Sequence, residues 1–539
     1  MSDDTAQRNT DRVLPGALLL GLLAVAYRAW LSRRYFGAEE EDWGNLGITF
    51  GTLQSNFSYV ELEHMPLFTA LAALATALTG DAELGGELVA IVSGASAVTL
   101  VAWIGGRWLS PVSGLLAATL LIFQPDAALY AATPLRISTY SALCLLAVAA
   151  IGERRTLISA LALSLGFLCR FDILFTVVPA LLVFTGLQRF VQRDSAASGR
   201  GTAAGYSKRE LLWCLTPLGL VVASWSVFYR SQTGSFAFWA GVAQRNTSEY
   251  SHLSLSSRLG HGIDTLWGVA TQVMPDHIGY AVLPLFAVGL AQLLKGRANC
   301  PRQALWLSTY VGCALLFFAA TVTLSAYQPD HNLYWKWLSA LVPGLLLLAA
   351  HGVVRLLADI LEPKTTARLL LALTLGLGLS VATGLDWSSQ TRSQLQRSDR
   401  WYGTQVRLMR WIEANYPADV GIVADLIPST FVARREHSMR FFSWSHPELP
   451  HDSPQQFGRW LLEQDIAIVI WFREDWVGAS QAAPYLHGGW PTAAGPVRLN
   501  PLAREDGYGF IAYEVLGNSR LTRPTTIRPP ANAGAVNRN

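Results

Sequence analysis

An acidic knot, Glu39-Glu40-Glu41-Asp42, follows the first long apolar segment of the chain, and Trp43 stands beside it. Carboxylates beside a membrane span are costly to hold near hydrocarbon, which makes them candidates for function. Against apolar walls a carboxylate binds its proton more tightly and can take one from an incoming hydroxyl, as a general base does. Asp42 or Glu41 is the candidate base, Glu40 lines the same site, and Trp43 offers a face for a sugar ring. The plainer alternative is a solvated loop paired with Arg33 and Arg34. A second polar cluster holds Glu61, Glu63 and His64. His64 could ligate a metal, but no HExxH spacing accompanies it, so capping or an interfacial place is the stronger reading.

Cations complete the chemistry. The chain has four lysines, Lys208, Lys295, Lys336 and Lys364. Lys336 sits in Tyr334-Trp335-Lys336-Trp337, where an apolar segment begins. It can bind a lipid-linked phosphate as a point charge, or snorkel to headgroups within an aromatic belt. Arg136 opens another apolar segment, and Arg170 lies two residues before Asp172 between two more. Each can be a local ion pair or anchor. Together with Lys336 they can also stabilise charge growing on a phosphate leaving group.

The elements that must position these residues are membrane spans. The 539 residues are 51% hydrophobic and 15% charged, with mean hydropathy +0.29. A soluble chain carries about a quarter charged residues. Net charge is +3, too slight to imply a nucleic-acid partner. The five cysteines form no CxxC pair, which argues against a disulfide framework and a cysteine metal site. Candidate spans lie near 13–31, 86–105, 111–129, 135–151, 155–169, 171–188, 211–229, 279–294, 303–325, 338–355 and 369–385. The stretch 66–79 is short for a span and reads as interfacial or re-entrant. With the N-terminus inside and 66–79 not crossing, the basic loops around Arg107, Arg154, Lys208, Lys295 and Lys364 all fall on the cytoplasmic side, and the acidic knot falls outside.

From about residue 386 the pattern changes. A strand at Val420–Val423, a helix at Pro428–Arg435, another at Gln455–Glu463, an apolar strand at Ile466–Phe472 and a closing hairpin predict a small α/β domain outside the membrane. The reading is thus a polytopic α-helical protein of eleven spans, over 1–385, an extracytoplasmic α/β domain over 386–520 and a disordered tail over 521–539.

In order and spacing, residues 13–385 resemble the GT-C class of polyprenyl-phosphate-sugar-dependent glycosyltransferases, of the kind that includes protein O-mannosyltransferases and lipid A aminoarabinose transferases. Glu40-Glu41-Asp42-Trp43 stands where that class has an acidic motif followed by an aromatic. Glu63-His64-Met65-Pro66-Leu67 is similar to its His-Pro-Pro-Leu motif, with Met65 in place of a proline. Leu135-Arg136, Arg170-Phe171-Asp172 and Tyr334-Trp335-Lys336 resemble its later outer segments, with Lys336 in place of an arginine. The resemblance implies an inverting transferase in a bacterial inner membrane. Its donor would be an undecaprenyl- or dolichyl-phosphate sugar and its acceptor a lipid, glycan or protein. Asp42 or Glu41 would be the base and Lys336, Arg136 and Arg170 the phosphate clamp, with Glu40, Trp43, His64, Asp172 and Tyr334 lining the site. No cofactor is indicated; the acidic knot would permit a divalent cation. The rivals are a transporter or flippase of a lipid-linked or anionic solute, and an inactive scaffold relative. Against the transporter, the sequence shows no inverted repeat, charges inside the spans are scarce, with Arg28 the main one, and the polar residues gather at one face.

Overall fold

The computed structural model describes residues 3–34, 65–197, 207–238, 255–268, 282–295, 300–325, 340–361, 420–423, 440–442, 453–472, 493–494, 497–505 and 510–516, with 271, 278, 298, 387, 412 and 416 singly. These residues divide into two compact units, one helical and one built on a sheet.

The helical unit contains α1 (Asp3–Arg34), α2 (Leu67–Thr79), α3 (Ala82–Trp108), α4 (Pro111–Phe123), α5 (Pro125–Tyr130), α6 (Arg136–Gly152), α7 (Thr156–Cys169), α8 (Ile173–Ala197), α9 (Lys208–Thr233), α10 (Leu255–Gly268), α11 (Val282–Leu294), α12 (Pro301–Ser325) and α13 (Val342–Leu361). The segments Val13–Arg33, Leu84–Trp108, Lys208–Thr233 and Pro301–Ala320 are long and apolar enough to cross a membrane. Seven shorter helices are also apolar. The segment 369–385, read as the last span, lies outside the described residues.

One expected span is divided. The segment 111–129 breaks at Gln124, whose backbone is extended (φ −61°, ψ 124°). The cause is Pro125: its ring disfavours the helical conformation in the preceding residue. The Gln124 side chain then accepts from the Ala127 amide at 2.6 Å and caps the short α5. The junction at Arg170, by contrast, is a true interruption between two helices, with the Arg170 backbone extended (φ −154°, ψ 131°).

Helices in lipid approach closely where side chains are small. A Cβ on Gly114 would collide with the backbones of Gly106 and Ala102, which fixes α4 against α3. Gly289 and Gly352 bring α11 and α13 together in the same way, each meeting the partner helix's backbone. Helix α6 runs through the middle, buried from Ile137 to Gly152 along almost its whole length.

Alternation of direction sorts the helix ends into two sets. At one end Arg107 Nε and Nη2 each donate to Glu153 at 2.9 Å, and the Trp108 indole N–H donates to the same carboxylate at 2.9 Å. Arg154 pairs with Glu210 at 2.8 Å, and Cys300 N–H donates to the Trp108 carbonyl at 3.0 Å. The ends of α3 and α6 and the starts of α9 and α12 therefore meet there. The other end gathers the last turns of α1, α5, the start of α6, the α7–α8 junction and the start of α13.

In the second unit the sheet runs β2 (Arg440–Phe442), β1 (Gly421–Val423), β3 (Ile466–Phe472), β6 (Phe510–Leu516), β5 (Val497–Glu505), β4 (Ala493–Ala494). The first three strands are parallel and the rest antiparallel. Residues Ile466–Ile470 are all buried, which accounts for an unbroken apolar run where a one-sided strand would alternate. Helix α14 (Pro454–Glu463) buries Phe457, Trp460 and Leu461 at helical spacing, and Trp460 meets Phe442 edge-on at 5.2 Å. The expected helix at 428–435 lies outside the described residues.

Candidate active site

Arg136 is the first helical residue of α6. Pro134 and the extended Leu135 (φ −103°, ψ 139°) set the turn before it, and the N-cap residue, Leu135, supplies no side-chain cap. The first-turn amides of a helix have no intrahelical partner, and its N-terminus carries a partial positive charge, so Arg136 reinforces a field that favours anions.

The α7–α8 junction packs on the same turn. The Cys169 thiol lies 3.5 Å from the Arg136 carbonyl, which puts Arg170 next to it. Arg170 Nε and Nη2 donate to Asp172 Oδ2 at 2.8 and 2.7 Å. The guanidinium also lies 5.6 Å from the ring centre of Tyr140, a cation–π distance. Both partners are nearly buried, with side-chain exposures of 11% and 10%. Tyr140 is a full turn into α6, so the pair docks the junction onto the central helix. The structure therefore brings Arg136, Arg170 and Asp172 together, with part of the Arg170 charge already met by Asp172.

Two further features point to this end of the bundle. Tyr310 of α12 donates to the Ala340 carbonyl at 2.8 Å, fixing the chain four residues after Lys336 in sequence as it enters α13. Helix α2 buries Phe68, Thr69, Ala72, Ala73 and Thr76 on one face and exposes Leu71, Leu74 and Leu78 on the other. Its Thr76 lies against Gly85 of α3, where a Cβ would stand 2.5 Å from the hydroxyl oxygen. The remaining sequence candidates, Glu40, Glu41, Asp42, Trp43, His64, Tyr334 and Lys336, lie outside the described residues. Among the described residues no group of three His, Cys, Asp or Glu side chains is placed to hold a metal ion.

Sequence reasoning did not gather one cavity at this end. It is lined by Arg28, Gln124, Asp126, Ser138, Ser141 and neighbouring apolar residues. Arg28 was legible as the main charge inside an apolar span; Ser138 carried no signal, being one serine among several at a helix start.

Residues 63–199 match the family described as dolichyl-phosphate-mannose-protein mannosyltransferase. In three dimensions the chain is similar to ArnT from Cupriavidus metallidurans in the apo state, with TM-score 0.62, 12% identity, and 92% of this chain and 97% of that one covered. It is similar also to the same protein bound to undecaprenyl phosphate, with TM-score 0.59, 11% identity and the same coverage. The fold is GT-C. The oligosaccharyltransferase of Archaeoglobus fulgidus aligns more loosely, at TM-score 0.47 and 12% identity over 96% of this chain and 76% of that one. No curated protein sequence matches the chain. The family match runs from Glu63 into α8 and so includes Arg136, Arg170 and Asp172, which places these residues in the part of the GT-C unit whose sequence carries the family pattern.

Proposed function

We propose that the chain is a membrane glycosyltransferase that moves a sugar from a polyprenyl-phosphate donor to an acceptor hydroxyl, with inversion, at the extracytoplasmic face of a bacterial inner membrane. The observation that carries this reading is the juxtaposition of Arg136, Arg170 and Asp172 at one end of a GT-C bundle, inside the segment that matches the mannosyltransferase family.

In this reading Asp42 or Glu41 accepts the proton of the acceptor hydroxyl, or orients it. The oxygen attacks the anomeric carbon from the face opposite the phosphate, the C–O bond to the phosphate breaks, and polyprenyl phosphate leaves with the electron pair. Negative charge grows on the leaving phosphate, where prepositioned cations stabilise the transition state more than the ground state. Arg136 and Lys336 supply that charge directly. Arg170, tied to Asp172, contributes a weaker field and holds the α7–α8 junction in place. The exposed leucine face of α2 borders the path by which the lipid approaches.

The test is sugar transfer by the purified full chain in lipid, given polyprenyl-phosphate sugars and candidate acceptors, with Asp42→Asn, Glu41→Gln, Arg136→Ala and Lys336→Ala alongside. Release of polyprenyl phosphate that depends on one acid and falls with either cation supports the reading. Donor binding without release by any variant or the parent would favour transport of the lipid-linked solute or an inactive scaffold.

A further inference from the structure

Arg28 lies on α1 inside the apolar segment Val13–Arg33 and is 1% exposed. It stands five residues before Arg33 in the sequence, about 7.5 Å along a helix. Among the described residues its Nε and Nη1 have no hydrogen-bond partner. A guanidinium stays charged at any pH a cell meets, and a buried charge without a partner is strongly unfavourable. The surroundings are shaped around it all the same. Gly94 of α3 leaves the room it occupies: a Cβ there would stand 3.0 Å from Nη1 and 3.1 Å from Cζ.

The guanidinium borders the cavity described above, and two independent donors border it too. Ser138 is 6% exposed, and among the described residues its hydroxyl likewise has no partner. Ser138 is also the third residue of α6, whose first turn begins at Arg136. A buried cation, a buried hydroxyl and the N-terminus of α6 thus converge on one space. All three favour an anion with several acceptor oxygens. The room open to the centre of a water-sized sphere is about 30 Å³, which admits a small oxyanion head or about two waters and no sugar ring. Asp126 also borders the cavity, 5% exposed, and accepts from Gln124 Nε2 at 3.0 Å. Its carboxylate offsets the Arg28 charge, so the pull on an anion rests on the directed N–H and O–H donors.

We propose that this cavity is a phosphate-binding site in which Arg28 and Ser138 hold a phosphate oxygen at the N-terminus of α6. The phosphate comes from the polyprenyl donor or from a membrane phospholipid headgroup. The site does not rest on the transferase reading, since the convergence of donors stands whether or not a sugar is moved.

The experiment is a calorimetric titration of the delipidated full chain in detergent with inorganic phosphate at constant ionic strength. Parallel arms add undecaprenyl phosphate or phosphatidylglycerol as competitors. Saturable binding is expected. Arg28→Gln should weaken it about tenfold or more and Ser138→Ala about fivefold, by loss of a charged and a neutral hydrogen bond respectively. Asp126→Asn should leave it unchanged or tighten it. Competition by undecaprenyl phosphate assigns the site to the donor, competition by phosphatidylglycerol to a structural lipid, and binding without competition to a free oxyanion. Near-ultraviolet circular dichroism checks that each variant folds, and Ser138→Ala carries the test if Arg28→Gln does not. The proposal is overturned by absence of saturable binding, or by binding that neither variant weakens. It is also overturned if Arg28→Gln and Asp126→Asn each destabilise, their combination restores stability, and phosphate has no effect. That pattern would mean that water links Arg28 to Asp126. Phosphate that binds through Arg28 in a full chain that moves no sugar from any donor would uphold this site while the proposed reaction fails.

Discussion

At the scale of single residues, Arg136 and Arg170 sit in different surroundings. Arg136 extends from a helix start, whereas Arg170 is held by Asp172 at 2.7 Å and by the ring of Tyr140. Arg136→Ala should therefore lower kcat about 100-fold or more while the protein stays folded, the loss seen when one transition-state donor is removed. Arg170→Ala should act first on stability. Leaving Asp172 buried without its partner costs about 3–5 kcal/mol, whereas removing both as Arg170→Met with Asp172→Leu should restore much of it. Equal melting temperatures for parent and Arg170→Ala would contradict that assignment. The sequence made these residues visible through their rarity among apolar runs. That Arg170 is already paired was not legible, because Arg170 and Asp172 at two residues' separation fit an ion pair and an open clamp equally well. Arg28 was visible for the same reason. Its lack of a partner depends on the packing of α3, α5 and α6 around it, which no local pattern encodes.

At the scale of elements, hydropathy located the helices because lipid demands apolar stretches that satisfy their own backbone. Their precise ends followed local chemistry. Pro125 split the expected 111–129 span, and the Gln124 cap and Pro125 together turn Asp126 into the cavity. Pro125→Ala removes the steric bar to a continuous helix. It should lower the melting temperature, since α5 would swing away from α1 and α6; an unchanged midpoint would show that packing alone holds the break. The glycine contacts give a sharper expectation. Gly114→Leu forces side-chain atoms into the backbones of Gly106 and Ala102 and should destabilise by about 1–3 kcal/mol or more, read as a fall in the melting temperature in detergent. Gly186 meets nothing within 4 Å of a built Cβ, so Gly186→Ala should be neutral or slightly stabilising in the same assay. Glycine spacing on apolar helices shows that close approach is possible. It does not name the partner helix, which is why these contacts emerged only in three dimensions.

At the scale of the whole molecule, the helical bundle has two polar ends of different character. One end is tied by Arg107–Glu153 and Arg154–Glu210, and the other gathers Arg28, Asp126, Arg136, Arg170 and Asp172. If the first end faces the cytoplasm, a cysteine in place of the exposed Arg155, in a background lacking the five native cysteines, should react with a membrane-impermeant maleimide only after the cells are opened. Labelling of intact cells would invert the topology. Native Cys300, at the same end, should alkylate slowly near neutral pH. Its burial, and next the charge of Glu153, push the thiol up, while Arg107 opposes them, so the thiolate fraction is small and the rate should still be climbing above the ordinary thiol range. The measurement that bears most directly on the central claim is sugar transfer from a polyprenyl-phosphate donor by the purified chain and its Asp42→Asn, Glu41→Gln and Arg136→Ala forms. The account predicts release of polyprenyl phosphate with inversion at the anomeric carbon, abolished by loss of one acid and lowered about 100-fold or more by loss of Arg136. Transfer unaffected by Arg136→Ala and by both acid variants, or donor binding with no release from the parent protein, would contradict it.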